Sequence, residues 1–316
     1  MKKLLAILAF APMLAMAQAY PTRPIHIVLP FGPGGVADIT TRTLAPKLSD
    51  ALGQNVVVDN MPSAGGIRAS ETVAHAAPDG YTILLLTNGN AVSKALFKSL
   101  PYDPLSDFAM ISTVGSFSMV IVTGASSKYR TLQDLIAAAK ANPGKLNIGT
   151  ITPGGTQHLA GELFLSMAGI DAVVVPHKTT GEVVVGVRNG TLDAGVDFIA
   201  PLVSPIKGGQ LRALAVTAGK RQPQLPDVPT AIEAGVKGYD VASWNALAAP
   251  AKTPQPILDK LHDAVVKALE APDVKKRFAE LGVEPRPSSP QELKAFYASE
   301  AERWAKVVER AGIPKQ

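Results

Sequence analysis

Short, almost unbroken apolar runs recur along this chain, and most are followed by a stretch of helical character. "IHIVL" (25–29), "VVVD" (56–59), "TILLLT" (82–87), "MVIVT" (119–123), "LNIGT" (146–150), "AVVVP" (172–176) and "LRALAV" (211–216) read as strands. Runs without polar alternation suit strands covered on both faces. Helical patterns lie at 36–51, 67–76, 131–141, 156–168, 181–189 and 230–235. This alternation predicts α/β architecture, with parallel sheets and right-handed crossovers. The last third changes character. "PQPILDKLHDAVVKALEA" (254–271) places Ile257, Leu258, Leu261, Val265 and Leu269 on one helical face, and helices at 273–281 and 290–311 follow. One strand block ends near 120 and another begins near 123, so the chain reads as two lobes. Residues 20–122 plus 245–316 form the first and 123–244 the second, with the tail returning to cover the first.

The first nineteen residues, "MKKLLAILAFAPMLAMAQA", have the layout of a signal peptide. Lys2 and Lys3 precede an apolar run from Leu4 to Leu14, and Ala15-Met16-Ala17 and Ala17-Gln18-Ala19 are small-x-small cleavage sites. The run is shorter than the roughly 20 apolar residues a bilayer span needs. A buried or anchoring N-terminal helix is the other reading of these flanks. On the first reading the protein is exported, starts near Gln18 or Tyr20, and has no membrane insertion after cleavage. Losing two lysines changes 31 basic against 26 acidic residues to 29 against 26, so the net charge falls from +5 to +3. That mild balance, with no Lys/Arg-rich block, argues against nucleic acid. The chain has no cysteine, which excludes thiol catalysis and cysteine metal sites. The five histidines (26, 75, 158, 177 and 262) show no metal spacing, and no G-x-S-x-G elbow or paired nucleophile and base is readable. No catalytic residue, metal or cofactor is expected.

The stretch "PFGPGGVADITTR" (30–42) joins the first strand to a helix. Gly32, Gly34 and Ala37 fit the dinucleotide pattern G-x-G-x-x-A, and Asp59 ends the second strand where a ribose-binding acid would sit. Pro33 stiffens the loop, and an exported protein has no dependable nicotinamide supply. The free N–H groups and dipole of a helix start favour any anion. Phe31, Gly34 and Gly35 are the candidate contacts. Asp38, in the first helical turn, either complements the dipole or points into a cleft. A second loop of the same make, "GTITPGGTQH" (149–158), follows another strand. It offers Thr150, Thr152, Gly154, Gly155 and Thr156, with His158 either a packing residue or a contact. Asn88, Lys178, Thr179 and Asp197 lie just past or at other strand ends, where open parallel sheets bind ligands. Two such loops, one per lobe, suggest a clamshell holding a small anion between two helix N-termini.

From "YPTRPIHIVLPFGPGGVAD" to "ERWAKVVERAGI" the chain resembles the Bug-type solute receptors of tripartite tricarboxylate transporters. "LGQNVVVDNMPSAGG", "APDGYTILLLT", "LPYDPLSDF", "LIAAAKANPGKLNIGT", "LRALAVTAGKR", "LPDVPTAIEAG" and "WNALAAPAKTP" carry the likeness in order. The resemblance implies a type II periplasmic-binding-protein fold: two α/β lobes joined by a hinge around a ligand cleft. It implies a periplasmic, monomeric receptor that binds a small mono- or dicarboxylate without covalent chemistry and delivers it to membrane permease subunits. It also implies that the loop Phe31–Asp38 holds one ligand carboxylate, facing Thr150–His158. Where the family usually reads V-P-Y-K-G this chain reads "VPHKT", and its "TITPGG" replaces a Ser-rich turn. Both changes bear on which carboxylate is bound. A periplasmic sensor for a signalling partner, or a secreted dinucleotide-binding enzyme, are the alternative readings.

Overall fold

The computed structural model describes residues 20–151 and 154–316. The signal-peptide reading of residues 1–19 lies outside the described residues, as does Thr152. The chain opens with β1 (Ile25–Leu29), α1 (Val36–Leu52), β2 (Val56–Asn60), α2 (Ile67–Ala74), β3 (Thr82–Thr87) and α3 (Asn88–Leu96). β1 pairs in parallel with both β2 and β3, as the strand–helix alternation predicts. The middle comprises β4 (Phe108–Gly124), α4 (Leu132–Ala141), β5 (Asn147–Ile151), α5 (Thr156–Ala168), β6 (Val173–His177), α6 (Thr180–Asn189), β7 (Ala194–Phe198), α7 (Ile199–Lys207) and β8 (Leu211–Val216). The end comprises β9 (Ala242–Pro250), α8 (Gln255–Glu270), α9 (Pro272–Glu280), β10 (Val283–Pro285) and α10 (Pro290–Arg310).

The strands run in the order β2-β1-β3-β9-β4-β7-β5-β6, with β8 and β10 each pairing to β4. β4 ties the two halves together. Its residues Phe108–Ser118 pair antiparallel with β9, and Met119–Gly124 pair with β7 and β8. The register shifts between Met110 and Ser112 and between Thr113 and Gly115, bulges that bend a strand. The sequence showed only 119–123 as strand, because Ser112, Ser116, Ser118 and Gly115 interrupt the apolar run. Two further differences have local causes. Residues 230–235 form turns rather than a helix, since the segment is too short to propagate before Gly235 reverses the chain at φ 93°. "NGNAVSKAL", for which no helix is expected, is α3, because Thr87 and Asn90 close a capping box. β9 and α7 were not recognised as elements.

α1 and α8 cover one face of the first-lobe sheet, with Leu44 and Leu48 packed among Leu258, Leu261 and Val265. Burying each such side chain stabilises the fold by about 1.5–3 kcal/mol. The opposite face packs Val28, Leu84 and Leu86 with Trp244, Leu293 and Tyr297. α10 reaches both cores. Its Leu293 and Tyr297 join that cluster, whereas Trp304, Val307 and Val308 pack with Val92 and Leu96 of α3, Phe164 of α5 and Tyr239. Buried Glu300 fastens the helix to β9. It accepts hydrogen bonds from Trp244 Nε1 at 3.2 Å and Trp304 Nε1 at 2.9 Å, and from Arg303 at 3.3 Å.

Candidate functional site

The ends of several strands and the starts of the helices after them surround a cavity of about 630 Å³. That size and placement suit a small-molecule site in a parallel sheet. The β1–α1 loop contributes Phe31, Gly34 and Gly35, and the β5–α5 loop contributes Gly155, Thr156 and Gln157. Thr87 ends β3 and Gly89 lies in the first turn of α3, Thr180 opens α6, Asp197 and Phe198 end β7, and Ser243 and Asn245 lie on β9. Apolar side chains make much of the wall, including Phe31, Ile39, Phe117, Ile151, Phe198 and Leu281.

The two glycine loops share one backbone design. Gly34 (φ 88°) and Gly154 (φ 73°) occupy the left-handed region, which costs other residues roughly 1–2 kcal/mol. The next glycines, Gly35 and Gly155, are N-caps with extended backbone and no side-chain cap. The first N–H groups of α1 and α5 are therefore left for a ligand or water at the cavity wall. In each loop the first glycine donates its N–H to the side chain four residues on: Gly34 to Asp38 Oδ2 at 2.9 Å, and Gly154 to His158 Nδ1 at 3.0 Å. Accepting at Nδ1 means that neutral His158 carries its proton on Nε2. That nitrogen lies 3.7 Å from Glu162 Oε1.

Charge separates the two loops. Asp38 is buried and also accepts from Arg42 Nε and Asn60 Nδ2, each at 2.9 Å. Burial opposes its ionisation, but the bonds from Gly34 and Asn60 and the Arg42 charge outweigh that and hold its pKa below the usual carboxylate value. Burial lowers the pKa of His158 and raises that of Glu162. Asp197, at 1% exposure, accepts from Gln157 Nε2 (3.2 Å), Phe198 N–H (2.7 Å) and Thr180 Oγ1 (2.5 Å). Burial raises its pKa despite those three bonds.

Of the residues singled out from sequence, Phe31, Gly34, Gly35, Gly155, Thr156 and Asp197 line the cavity. Asp38, Gly154 and His158 stand behind the wall as braces of the two loops. Asn88 is buried between the lining residues Thr87 and Gly89, and its amide has no partner among the described residues. Thr150 is buried against α5 at Gly161, also with no partner for its hydroxyl among the described residues. Thr179 caps α6, and the Lys178 backbone is held by Glu182, so the neighbouring Thr180 is the one at the cavity. Asp59 accepts from or pairs with His26 at 2.6 Å and is not among the lining residues. Sequence reasoning missed Gln157, Ser243 and Asn245. Gln157 sits between Thr156 and His158, which it did name. Ser243 and Asn245 alternate with buried Trp244, a period-two signal confined to three residues.

Two α/β lobes around a mainly apolar cavity, with two uncapped helix starts at its wall, are the build of a solute-binding receptor. Comparison with known proteins gives the same class. Residues 40–313 match the family described as "Tripartite tricarboxylate transporter family receptor". BugT of Bordetella pertussis is 37% identical over 298 residues, covering 94% of this chain and 91% of BugT. The solved structure of an R. palustris protein with adipate superposes with a TM-score of 0.81 at 33% identity, covering 94% of this chain and 100% of that one. MatC from Rhodopseudomonas palustris, with bound malate, gives a TM-score of 0.77 at 32% identity, covering 92% and 100%. The chain belongs to the tripartite tricarboxylate transporter family of receptors. No helix among the described residues is long and apolar enough to cross a membrane.

Proposed function

We propose that this protein is a periplasmic receptor that takes up a small mono- or dicarboxylate in the cleft and delivers it to the permease subunits of a tripartite transporter. The observation that carries this reading is the pair of uncapped helix N-termini, α1 and α5, meeting one cavity. A carboxylate held there by backbone N–H groups and water needs no full counter-charge. The relatives solved with adipate and malate support the ligand class. The lobe division 20–122 with 245–316 against 123–244 belongs to the same proposal. It is supported by β4, whose two ends pair with different sets of strands. Ligand contacts differ between open and closed lobes, so binding shifts the balance toward closure. The role is binding without catalysis.

Thermal denaturation of protein refolded free of ligand tests the proposal. A carboxylate at a hundred times its Kd adds about 2.7 kcal/mol of stability, a rise of several degrees in Tm. NAD is expected to add nothing. A rise with NAD and none with any carboxylate would sink the reading. Mass spectrometry of whatever co-purifies with the native protein is expected to identify the physiological acid.

A further inference from the structure

The polar groups around the cavity are unevenly matched. Among the described lining residues there is no Lys or Arg, and Asp197 is the one acid. Its three hydrogen-bond donors, Gln157, Thr180 and the Phe198 N–H, are all uncharged. An ionised carboxylate offers about four acceptor sites, so one stays open. A second lining acceptor stands on β9 beside α1. Asn245 is 2% exposed and gives one Nδ2 hydrogen to Thr40 Oγ1 at 3.3 Å, while its Oδ1 has no partner among the described residues. The donors that meet the cavity include the N–H groups at the starts of α1 and α5 and the hydroxyls of Thr156 and Ser243.

We infer that Asp197 makes this cleft selective for a carboxylate that also carries a hydrogen-bond donor (a hydroxyl, an amide N–H or an ammonium) presented to the second lobe. This rests on the carboxylate reading above and narrows it. With the ligand's carboxylate at the α1 loop, three kinds of group can meet Asp197. A second carboxylate brings further acceptors to the buried Asp197 carboxyl, with no cation among the described lining residues to offset them. A methyl group leaves buried acceptors without a donor, the arrangement by which a hydrogen-bonding site rejects an analogue that lacks the group. A donor satisfies Asp197. The ligand's apolar middle fits between Phe31, Phe117 and Phe198.

Two matched series differ only at the far end: butanoate, 4-hydroxybutanoate, 4-aminobutanoate and succinate, and the six-carbon set hexanoate, 6-hydroxyhexanoate, 6-aminohexanoate and adipate. Isothermal titration of the refolded full chain with each is the test. In at least one series the hydroxy or amino acid is expected to bind about tenfold or more tighter than the plain acid, with the diacid weakest. Asp197→Asn keeps the size of the side chain, and it is expected to narrow the ratio of amino acid to diacid affinity by about tenfold. A diacid that binds the wild type as tightly as the amino acid, or a ratio unmoved by D197N, overturns the inference and leaves the carboxylate reading standing. 1,6-Hexanediol binding as tightly as 6-hydroxyhexanoate overturns the carboxylate reading instead. No binding by any of the acids overturns both.

Discussion

The two glycine loops that meet at the cleft have one geometry and two chemistries. Gly34 and Gly154 both turn through positive φ and both give their N–H to a side chain in the first helical turn. In the first loop that side chain is Asp38, an anion held by Arg42 and Asn60, and Asn60 also donates to the Phe31 carbonyl at 3.0 Å. In the second it is His158, a neutral acceptor whose other nitrogen has Glu162 nearby. The first jaw is braced through β2 by several bonds. The second depends on one bond whose acceptor can take up a proton. The same backbone shape is therefore rigidly fixed on one side and titratable on the other.

The largest separation of shape from chemistry should come from Gly35. Its backbone is ordinary (φ −77°), and an added Cβ there meets nothing within 4 Å. Gly35→Val is expected to leave Tm nearly unchanged and to weaken ligand binding about a hundredfold, ~2.7 kcal/mol, by filling the approach to the α1 N–H groups. Gly154→Ala should do the reverse, because φ is 73° and the new Cβ stands 3.0 Å from Leu96 Cδ1. Titration calorimetry beside thermal melts reads both.

Next in size are the braces. Asp38→Ala leaves the Gly34 N–H and the Asn60 amide without their acceptor and is expected to cost about 2 kcal/mol in urea denaturation. His158→Ala removes a single neutral bond and should cost about 1 kcal/mol. Equal losses would mean that charge adds nothing to the first loop.

The smallest effect is in pH. His158 has its pKa lowered by burial, so the unfolded chain binds the proton more readily. Its contribution is complete above the ordinary histidine range near 6.5 and declines as pH falls through that range. Glu162 acts in the opposite sense: its raised pKa favours the protonated fold, and that contribution is lost as pH rises through its folded value. His158→Asn offers an acceptor in place of Nδ1 and cannot titrate, so it should flatten only the histidine part of the stability profile. Asp38, with its lowered pKa, withdraws its contribution only at pH values below the ordinary carboxylate range. Chemical denaturation at a series of pH values separates the three.

The parallel strands were legible because each is a continuous apolar run, and the two loops because glycine pairs follow a strand and precede a helix. The cavity's other wall was hidden for a physical reason. β9 reads "ASWNALAAP", mostly small residues, because it is buried between β3 and β4 where bulk is not needed. With few β-branched side chains it gives little strand signal. Ser243 and Asn245 therefore stayed out of sight, although the two glycine loops that line the same cavity were named from sequence. Asp38 and His158 stood out by type and position, but sequence alone does not show that each turns back to its own loop. That depends on the left-handed glycine four residues earlier.

Glu300 gives the protein a further property. The chain's two tryptophans, Trp244 and Trp304, both donate to one oxygen of this carboxylate, so their emission arises from a single neighbourhood. Trp244 stands on β9 between Ser243 and Asn245, which face the cleft from the other side of the strand. A ligand that pulls on those two residues would disturb the indole behind them. Intrinsic tryptophan fluorescence, followed through a ligand titration, is therefore expected to change with occupancy.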